Sequence, residues 1–163
     1  MSKKPTVLAA LALAGSLTLS GCAIGFGAGT SQQKASGNGL TTNVDSIQLR
    51  GMTVVADTNN PTSGVLIGTI VNTADTDNAL VGVAAARTVV AVGQTNVALL
   101  SKSATTLNST PETTVALNGL LTPGTYVNLQ LLFADGTNIP ASLMVVPNDD
   151  IYADVTMPAI ATP

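Results

Sequence analysis

The chain has 163 residues and few charges: six Lys and Arg oppose nine Asp and Glu, for a net charge of −3 at pH 7. This acidic balance excludes nucleic-acid binding through a basic surface. The absence of His removes the usual general base of catalysis, and a single Cys excludes an internal disulfide.

Residues 1–21 are predicted to be an export signal. A short positive start, an apolar stretch over residues 6–19 and small residues before a cleavage site follow one another in the order of a secretory signal. The apolar stretch is shorter than the ~20 residues that span a bilayer. The sequence Leu19-Ser20-Gly21-Cys22 resembles the lipobox of bacterial lipoproteins. An ordinary secretory signal with a chance cysteine is the alternative, and the ordered zones disfavour it.

The lipobox resemblance implies a lipid modification at Cys22. Its thiol would take a diacylglyceryl group, the signal would be cleaved before it, and the new amine would be open to acylation. Two or three acyl chains anchor a protein stably. Since the chain after the signal is acidic, the membrane lipid held through Cys22 must supply the attachment to the extracytoplasmic face of the cell membrane.

The remainder divides into a tether and one domain. Residues 22–43 are rich in Gly, Ser, Thr and Gln, which predicts a flexible tether that follows the lipidated cysteine. Residues 44–163 are predicted to form the folded domain, since their length is typical of a single domain. Scarce aromatic residues and abundant Val, Leu, Ile and Thr favour strands.

Turns divide the domain into about nine short strands, which predicts an all-β sandwich or barrel. The apolar residues of one strand lie at odd positions before Gly51 (Ile47 and Leu49) and at even positions after it (Met52 and Val54). A β-bulge at Gly51 is therefore expected, since it would let both pairs face the core. The clearest hairpin joins alternating strands through the turn at Asp135-Gly136. Residues 102–113 are predicted to be a loop and residues 151–157 a last strand. The remaining predicted strands cover residues 65–71, 80–83, 87–92, 96–100 and 114–117.

Two stretches, residues 68–82 and 121–131, resemble the periplasmic copper chaperones that help to metallate cytochrome oxidase. Spacing and order match over roughly residues 45–158. With the lipobox, the chain is similar to the LpqE-type lipoproteins of Actinobacteria, a branch of that PCuAC-like family. The resemblance implies a cupredoxin-like or immunoglobulin-like β-sandwich, in agreement with the strand count.

The copper ligands of that family are missing. The chaperones bind Cu(I) with His and Met, and one His-x-Met pair follows the Pro-Gly turn. Val127 and Leu129 occupy those two positions, and the upstream region, about residues 89–106, has neither His nor Met. Hydrocarbon side chains offer no lone pair to Cu(I). No metal and no cofactor are therefore expected at these positions.

Other candidate sites have plainer interpretations. Met52, Met144 and Met157 could form a Met cluster for Cu(I), but core packing is favoured. Residues 75–78 begin like a calcium loop yet lack its Gly and Glu, which favours a capped turn. No nucleophile is paired with a general base at Ser101-Lys102-Ser103 or at Asp149-Asp150. The sequence therefore predicts a protein that is not an enzyme.

Three functional hypotheses remain. The favoured one is a non-enzymatic accessory lipoprotein, with the respiratory supercomplex of cytochrome bc and cytochrome oxidase as the partner that the resemblance implies. The alternatives are a copper-handling protein with a non-standard Met site and an envelope lipoprotein that binds a small molecule or lipid. The loops at residues 72–78 and 121–125 are the expected contact surface, because binding concentrates in loops on a rigid scaffold.

Overall fold

The computed structural model describes residues 39–85, 89–91 and 96–157. Cys22, the lipobox and the first part of the predicted tether lie outside the described residues. Within them the chain is all-β, as predicted, and two 3₁₀ turns cover Pro111–Thr113 and Asp150–Tyr152. No described helix is long and apolar enough to cross a membrane.

The ten described strands are β1 (Leu40–Val44), β2 (Ile47–Ala56), β3 (Ser63–Asn72), β4 (Asn78–Ala85), β5 (Val89–Ala91), β6 (Val97–Leu99), β7 (Ser103–Leu107), β8 (Val115–Gly119), β9 (Tyr126–Phe133) and β10 (Asn138–Pro147).

The strands form two sheets that share β10. The first sheet runs β5-β8-β3-β2-β10, with β1 also paired to β2 and β7 to β3. The second runs β10-β9-β4-β6. The first part of β10 pairs antiparallel with β9, and its last three residues pair in parallel with β2. The predicted β-sandwich is therefore the observed fold.

Alternating side chains of both sheets fill the space between them. On β9 and most of β10 the buried residues recur at every second position, as a strand with one face on the core requires, whereas the second half of β2 is buried on both faces. The core is almost purely aliphatic, and its largest fully buried side chains include Ile47, Leu49, Leu66, Leu129 and Leu131. Such a core is stabilised by removal of apolar surface from water, at about 25 cal/mol per Å².

The bulge predicted at Gly51 is confirmed. Gly51 has φ of 59°, and the pairing of β2 with β3 shifts register between Arg50 and Thr53. The extra residue brings Leu49 and Met52, which lie on opposite parities, to the same core, where both are fully buried. Gly51 thus lets one long strand keep its apolar side chains inside on both sides of the bulge.

The predicted hairpin is also confirmed. Strands β9 and β10 pair from Asn138 beside Leu132 to Met144 beside Tyr126. At the Asp135-Gly136 turn, Gly136 has φ of 88° and Thr137 N–H donates to Asp135 Oδ1 at 2.9 Å. The left-handed conformation favours glycine at this position, which is why Asp-Gly marks the turn in the sequence.

Three sequence predictions are wrong. Residues 40–43 were assigned to the tether, but they belong to β1, whose Leu40 and Val44 pack against the core. The folded part therefore begins before the predicted boundary at residue 44. The loop predicted for residues 102–113 contains β7, which pairs with β3. The sequence of β7 does not show the apolar alternation of a strand, because its side chains are mostly Ser and Thr and only Leu107 is buried.

The third error concerns the last predicted strand, over residues 151–157. These residues form a 3₁₀ turn and then an irregular segment. Val155 and Met157 lie against the outer face of the first sheet, in a second cluster with Val55, Val65 and Val146. Their apolar spacing comes from this packing and not from strand pairing.

Most of the described connections gather at two ends of the sandwich, whereas the β7–β8 loop lies midway along β3. The Ser46 end comprises the turns at residues 45–46, 73–77, 100–102 and 134–137, and hydrogen bonds from Thr73 to Ser46 and from Lys102 to Ala74 join three of these turns. The Pro147 end comprises residues 57–62, 119–125 and 148–154. The ten residues of β2 separate the two ends by about 30 Å.

Candidate functional site

Val127 and Leu129 lie at the start of β9, near the Pro147 end, with their side chains toward the core. Leu129 is fully buried, and Val127 is half-buried and packs against the core cluster. In the sheet Leu129 lies between Ala85 on β4 and Ala141 on β10, and Val127 lies beside Leu143. Each position that the family resemblance assigns to a copper ligand is thus surrounded by hydrocarbon and offers no donor atom.

The upstream ligand region falls partly outside the described residues. Residues 86–88 and 92–95 are not described, and of β5 only the backbone is. In the described part, Val97 and Leu99 are buried in the core. Among the described residues no group of three or more His, Cys, Asp or Glu side chains is placed to hold a metal ion.

The three methionines of the domain do not form one cluster. Met52 is fully buried in the main core, as predicted. Met144 and Met157 are half-buried and pack together with the second cluster, on the opposite face of the first sheet. The sheet therefore separates Met52 from the other two, and a three-methionine site is not formed.

The turn at residues 72–78 is built around a buried asparagine. Asn72 is fully buried, and its amide donates to the carbonyl oxygens of Thr76 at 2.9 Å and Leu99 at 3.0 Å. Its Oδ1 accepts from Ala74 N–H at 3.0 Å. Asp77 Oδ1 accepts from Ser101 N–H at 2.8 Å, so the carboxylate caps backbone as a turn residue does. The prediction of a capped turn is confirmed.

Lys102 is held by this same turn. Its Nζ donates to Thr73 O at 2.9 Å and lies 3.2 Å from Asp75 Oδ1. Both partners of this ion pair are exposed, so the pair adds at most about 1 kcal/mol to stability. The ammonium is therefore engaged with the turn at residues 73–75, in a structural arrangement.

The two loops predicted to make contact with a partner lie at opposite ends of the sandwich. Residues 72–78 belong to the Ser46 end, where Asp135 N–H donates to Asn78 Oδ1. Residues 121–125 belong to the Pro147 end, where Gly124 N–H donates to Val145 O. The two loops do not form one continuous surface, because a strand of β9's length separates them. The sequence does not determine the order of the strands in the sheets, so it could not predict at which end of the sandwich each loop lies.

A groove of about 500 Å³ lies on the surface between the β7–β8 loop and the end of the C-terminal segment. The loop side chains are tied to one another, as in the bond from Thr114 Oγ1 to Asn108 Oδ1 at 3.2 Å. The pKa of the Glu112 carboxyl lies below its usual range, because its own backbone N–H and then the Thr110 hydroxyl hydrogen-bond to it. The lining residues are Asn108, Ser109, Thr110, Pro111, Thr114, Thr156 and Met157.

Sequence comparison identifies no relative: no family model and no curated protein matches the chain. Solved structures do match. The apo PCuAC domain from PmoF1 aligns over 66% of this chain and 99% of its own, with a TM-score of 0.55 and 16% identity. The copper-bound PCuAC domain from PmoF2 aligns over 66% and 98%, with a TM-score of 0.52 and 19% identity. The apo form of that domain aligns over 68% and 98%, with a TM-score of 0.53 and 21% identity.

These likenesses establish the fold. Almost the whole of each PCuAC domain is matched, so the sandwich described above is similar to a PCuAC domain from end to end. The sequence resemblance to copper chaperones thus predicted the fold correctly. A shared fold does not carry a shared function, which depends on the side chains of the site.

Proposed function

We propose that this protein is a membrane-anchored, extracytoplasmic accessory protein that uses a PCuAC-like sandwich for interaction and not for copper delivery. The observation that carries the proposal is the environment of Val127 and Leu129, which lie beside the aliphatic side chains of Ala85, Ala141 and Leu143 in the second sheet. A scaffold of this kind keeps its loops in fixed positions, and loops on a rigid scaffold are where binding surfaces arise.

Lipidation of Cys22 would place this scaffold at its partner. Anchoring confines the domain to a thin layer at the membrane and raises its effective concentration at an integral membrane protein without new contacts. The partner that the family resemblance suggests is the LpqE-associated supercomplex of cytochrome bc and cytochrome oxidase. The chain would keep the docking function of the chaperones and omit the metal.

A copper-handling role is the second candidate, and one observation favours it. Met144 and Met157 share the second apolar cluster and are only half-buried, so two thioethers lie within one small region. Thioether sulfur is a soft ligand that suits Cu(I). Methionine also fills irregular gaps in apolar clusters. The surrounding Val55, Val65 and Val146 favour that packing role, since they add no donor.

Replacing Cys22 with alanine is expected to abolish lipid anchoring. Without the thiol the diacylglyceryl group has no acceptor, so the signal stays uncleaved or the chain leaves the membrane fraction. Mass spectrometry of the mature N-terminus and carbonate-washed membrane fractionation measure the two outcomes. Ser20→Ala serves as the matched control, because it keeps the thiol. Normal maturation and membrane retention of the Cys22→Ala chain would contradict the assignment.

The accessory role is tested by affinity purification from mild-detergent extracts of membranes. The tagged lipidated chain is expected to recover oxidase subunits well above an unrelated lipoprotein expressed at the same level. Quantitative mass spectrometry of both eluates provides the ratio. Equal recovery of the oxidase by the two baits would remove the respiratory partner, and absence of any enriched membrane protein would remove the accessory role itself.

A further inference from the structure

The most exposed large apolar side chains of the described residues gather at one end of the sandwich. Ile151, Leu120 and Tyr126 are 83%, 68% and 66% exposed, and all three lie at the Pro147 end. The next, Leu100 at 59%, lies at the Ser46 end. Exposed apolar side chains that gather at one end of a domain are the pattern expected of an interaction surface.

Hydrogen bonds fix the backbone that carries these three side chains. Next to Leu120, Leu121 N–H donates to Pro61 O at 3.0 Å. Before Tyr126, Val145 N–H donates to Thr125 O at 2.8 Å, and after Ile151, Tyr152 N–H donates to Asp149 O at 2.8 Å. Tyr152 is also held in the second apolar cluster. The surface is therefore preformed, and a partner would not have to order it.

The same end carries negative charge that none of the described cations pairs. Asp149, Asp150 and Asp154 flank Ile151 in the sequence, and all three are exposed. Within the described ranges the two cations, Arg50 and Lys102, lie in the other half of the sandwich. Arg50 bonds Asn43, Gln48 and nearby carbonyl oxygens there, and Lys102 pairs with Asp75. Acidic and apolar side chains at the same end complement a basic and apolar protein surface, and the acidic ones are repelled by anionic lipid.

Strand β1 runs away from the Pro147 end. Leu40 lies beside Met52, and β1 runs from there toward Val44 at the Ser46 end. Within the described residues, β1 therefore begins in the half of the sandwich nearer the Pro147 end.

We propose that the Pro147 end is the docking surface for a membrane-embedded protein whose extracytoplasmic face combines apolar side chains with Lys or Arg. The inference rests on the proposed accessory function and specifies its partner by chemistry. Leu120, Tyr126 and Ile151 are the apolar anchors of this surface. Asp149, Asp150 and Asp154 select the basic partner and speed the encounter.

Two variants of the lipidated full chain test the proposal. One changes the anchors to serine (Leu120→Ser, Tyr126→Ser and Ile151→Ser), and the other changes the three aspartates to asparagine. The matched control changes Val81 and Leu100, exposed elsewhere, to serine. All changed side chains are exposed, so melting temperatures should stay within a few degrees. Both surface variants are expected to lower recovery of a basic integral membrane protein about tenfold, and the control is not.

The outcomes separate the two proposals. Undiminished recovery of the enriched protein by both surface variants would overturn this inference and leave the accessory function standing, whereas no enrichment by the unchanged chain would overturn both. Two further measurements use the mature chain with Cys22→Ser. Its binding to phosphatidylglycerol vesicles, or its self-association in sedimentation, would also overturn the inference if the anchor variant abolished it. Neither is expected.

Discussion

Replacing Gly68 with alanine is expected to lower the free energy of unfolding by about 4 kcal/mol. An added Cβ would lie 2.7 Å from Met52 Sδ, 2.9 Å from Met52 Cα and 3.1 Å from Arg50 O. Gly68 also has φ of 134°, which L side chains rarely adopt. Backbone strain costs about 1–3 kcal/mol and overpacking a similar amount. Chemical denaturation with fluorescence or circular dichroism measures the difference.

A matched glycine separates the two causes. Gly124 has φ of 82°, but no atom lies within 4 Å of its added Cβ. Gly124→Ala should therefore incur the backbone cost alone, about 1–2 kcal/mol. Changing Met52 to alanine in the Gly68→Ala chain should not restore stability, because the clash with the Met52 backbone remains. Equal effects at the two glycines would show that Met52 does not crowd Gly68.

Replacing Asn72 with alanine is expected to destabilise the protein by about 3 kcal/mol, or about 10 °C in melting temperature. The change removes all three hydrogen bonds of a fully buried amide and leaves the buried carbonyl of Leu99 without that donor. Asn72→Asp should be at least as damaging, since a carboxylate cannot donate to the two carbonyl oxygens. Thermal unfolding followed by circular dichroism provides the comparison.

Asn78 supplies the control for this prediction. Its Oδ1 accepts from Ala79 N–H and Asp135 N–H, but the side chain is only partly buried, so water can replace it. Asn78→Ala is expected to cost about 1 kcal/mol or less. Should Asn72→Ala melt within two degrees of the unchanged protein, the turn would not depend on its buried amide.

The sequence predicts a strand wherever one face of that strand is buried in the core and the other is exposed to solvent. Alternation identifies β9 and β10, and the parity switch at Gly51 identifies the bulge, because both patterns reflect a single core-facing side. Strand β7 is not predicted, because its side chains are mostly small and polar and it is held in the sheet by backbone pairing with β3. Strand β1 was missed because its Thr and Asn residues continue the polar composition of the stretch before it.

The candidate surfaces depend on information that periodicity does not contain. Val155 and Met157 alternate as a strand does, yet they pack on the outside of the first sheet, which only the strand order explains. The strand order also decides where the loops lie. Residues 72–78 and 121–125 both belong to the stretches that resemble the copper chaperones, yet they lie at opposite ends of the sandwich. In contrast, the hydrocarbon nature of positions 127 and 129 is visible from the sequence and is reinforced by their neighbours.

The most direct test of the central claim is a Cu(I) titration of the mature chain with a competing chromophoric chelator. Cys22 is changed to serine so that its free thiol cannot bind the metal, and a copper-binding PCuAC domain serves as the positive control. The account predicts no transfer of Cu(I) at sub-micromolar free metal, because Val127 and Leu129 lack donors and Met144 and Met157 pack in an apolar cluster. Stoichiometric transfer that disappears on changing Met144 and Met157 to leucine would contradict it and establish copper handling in its place.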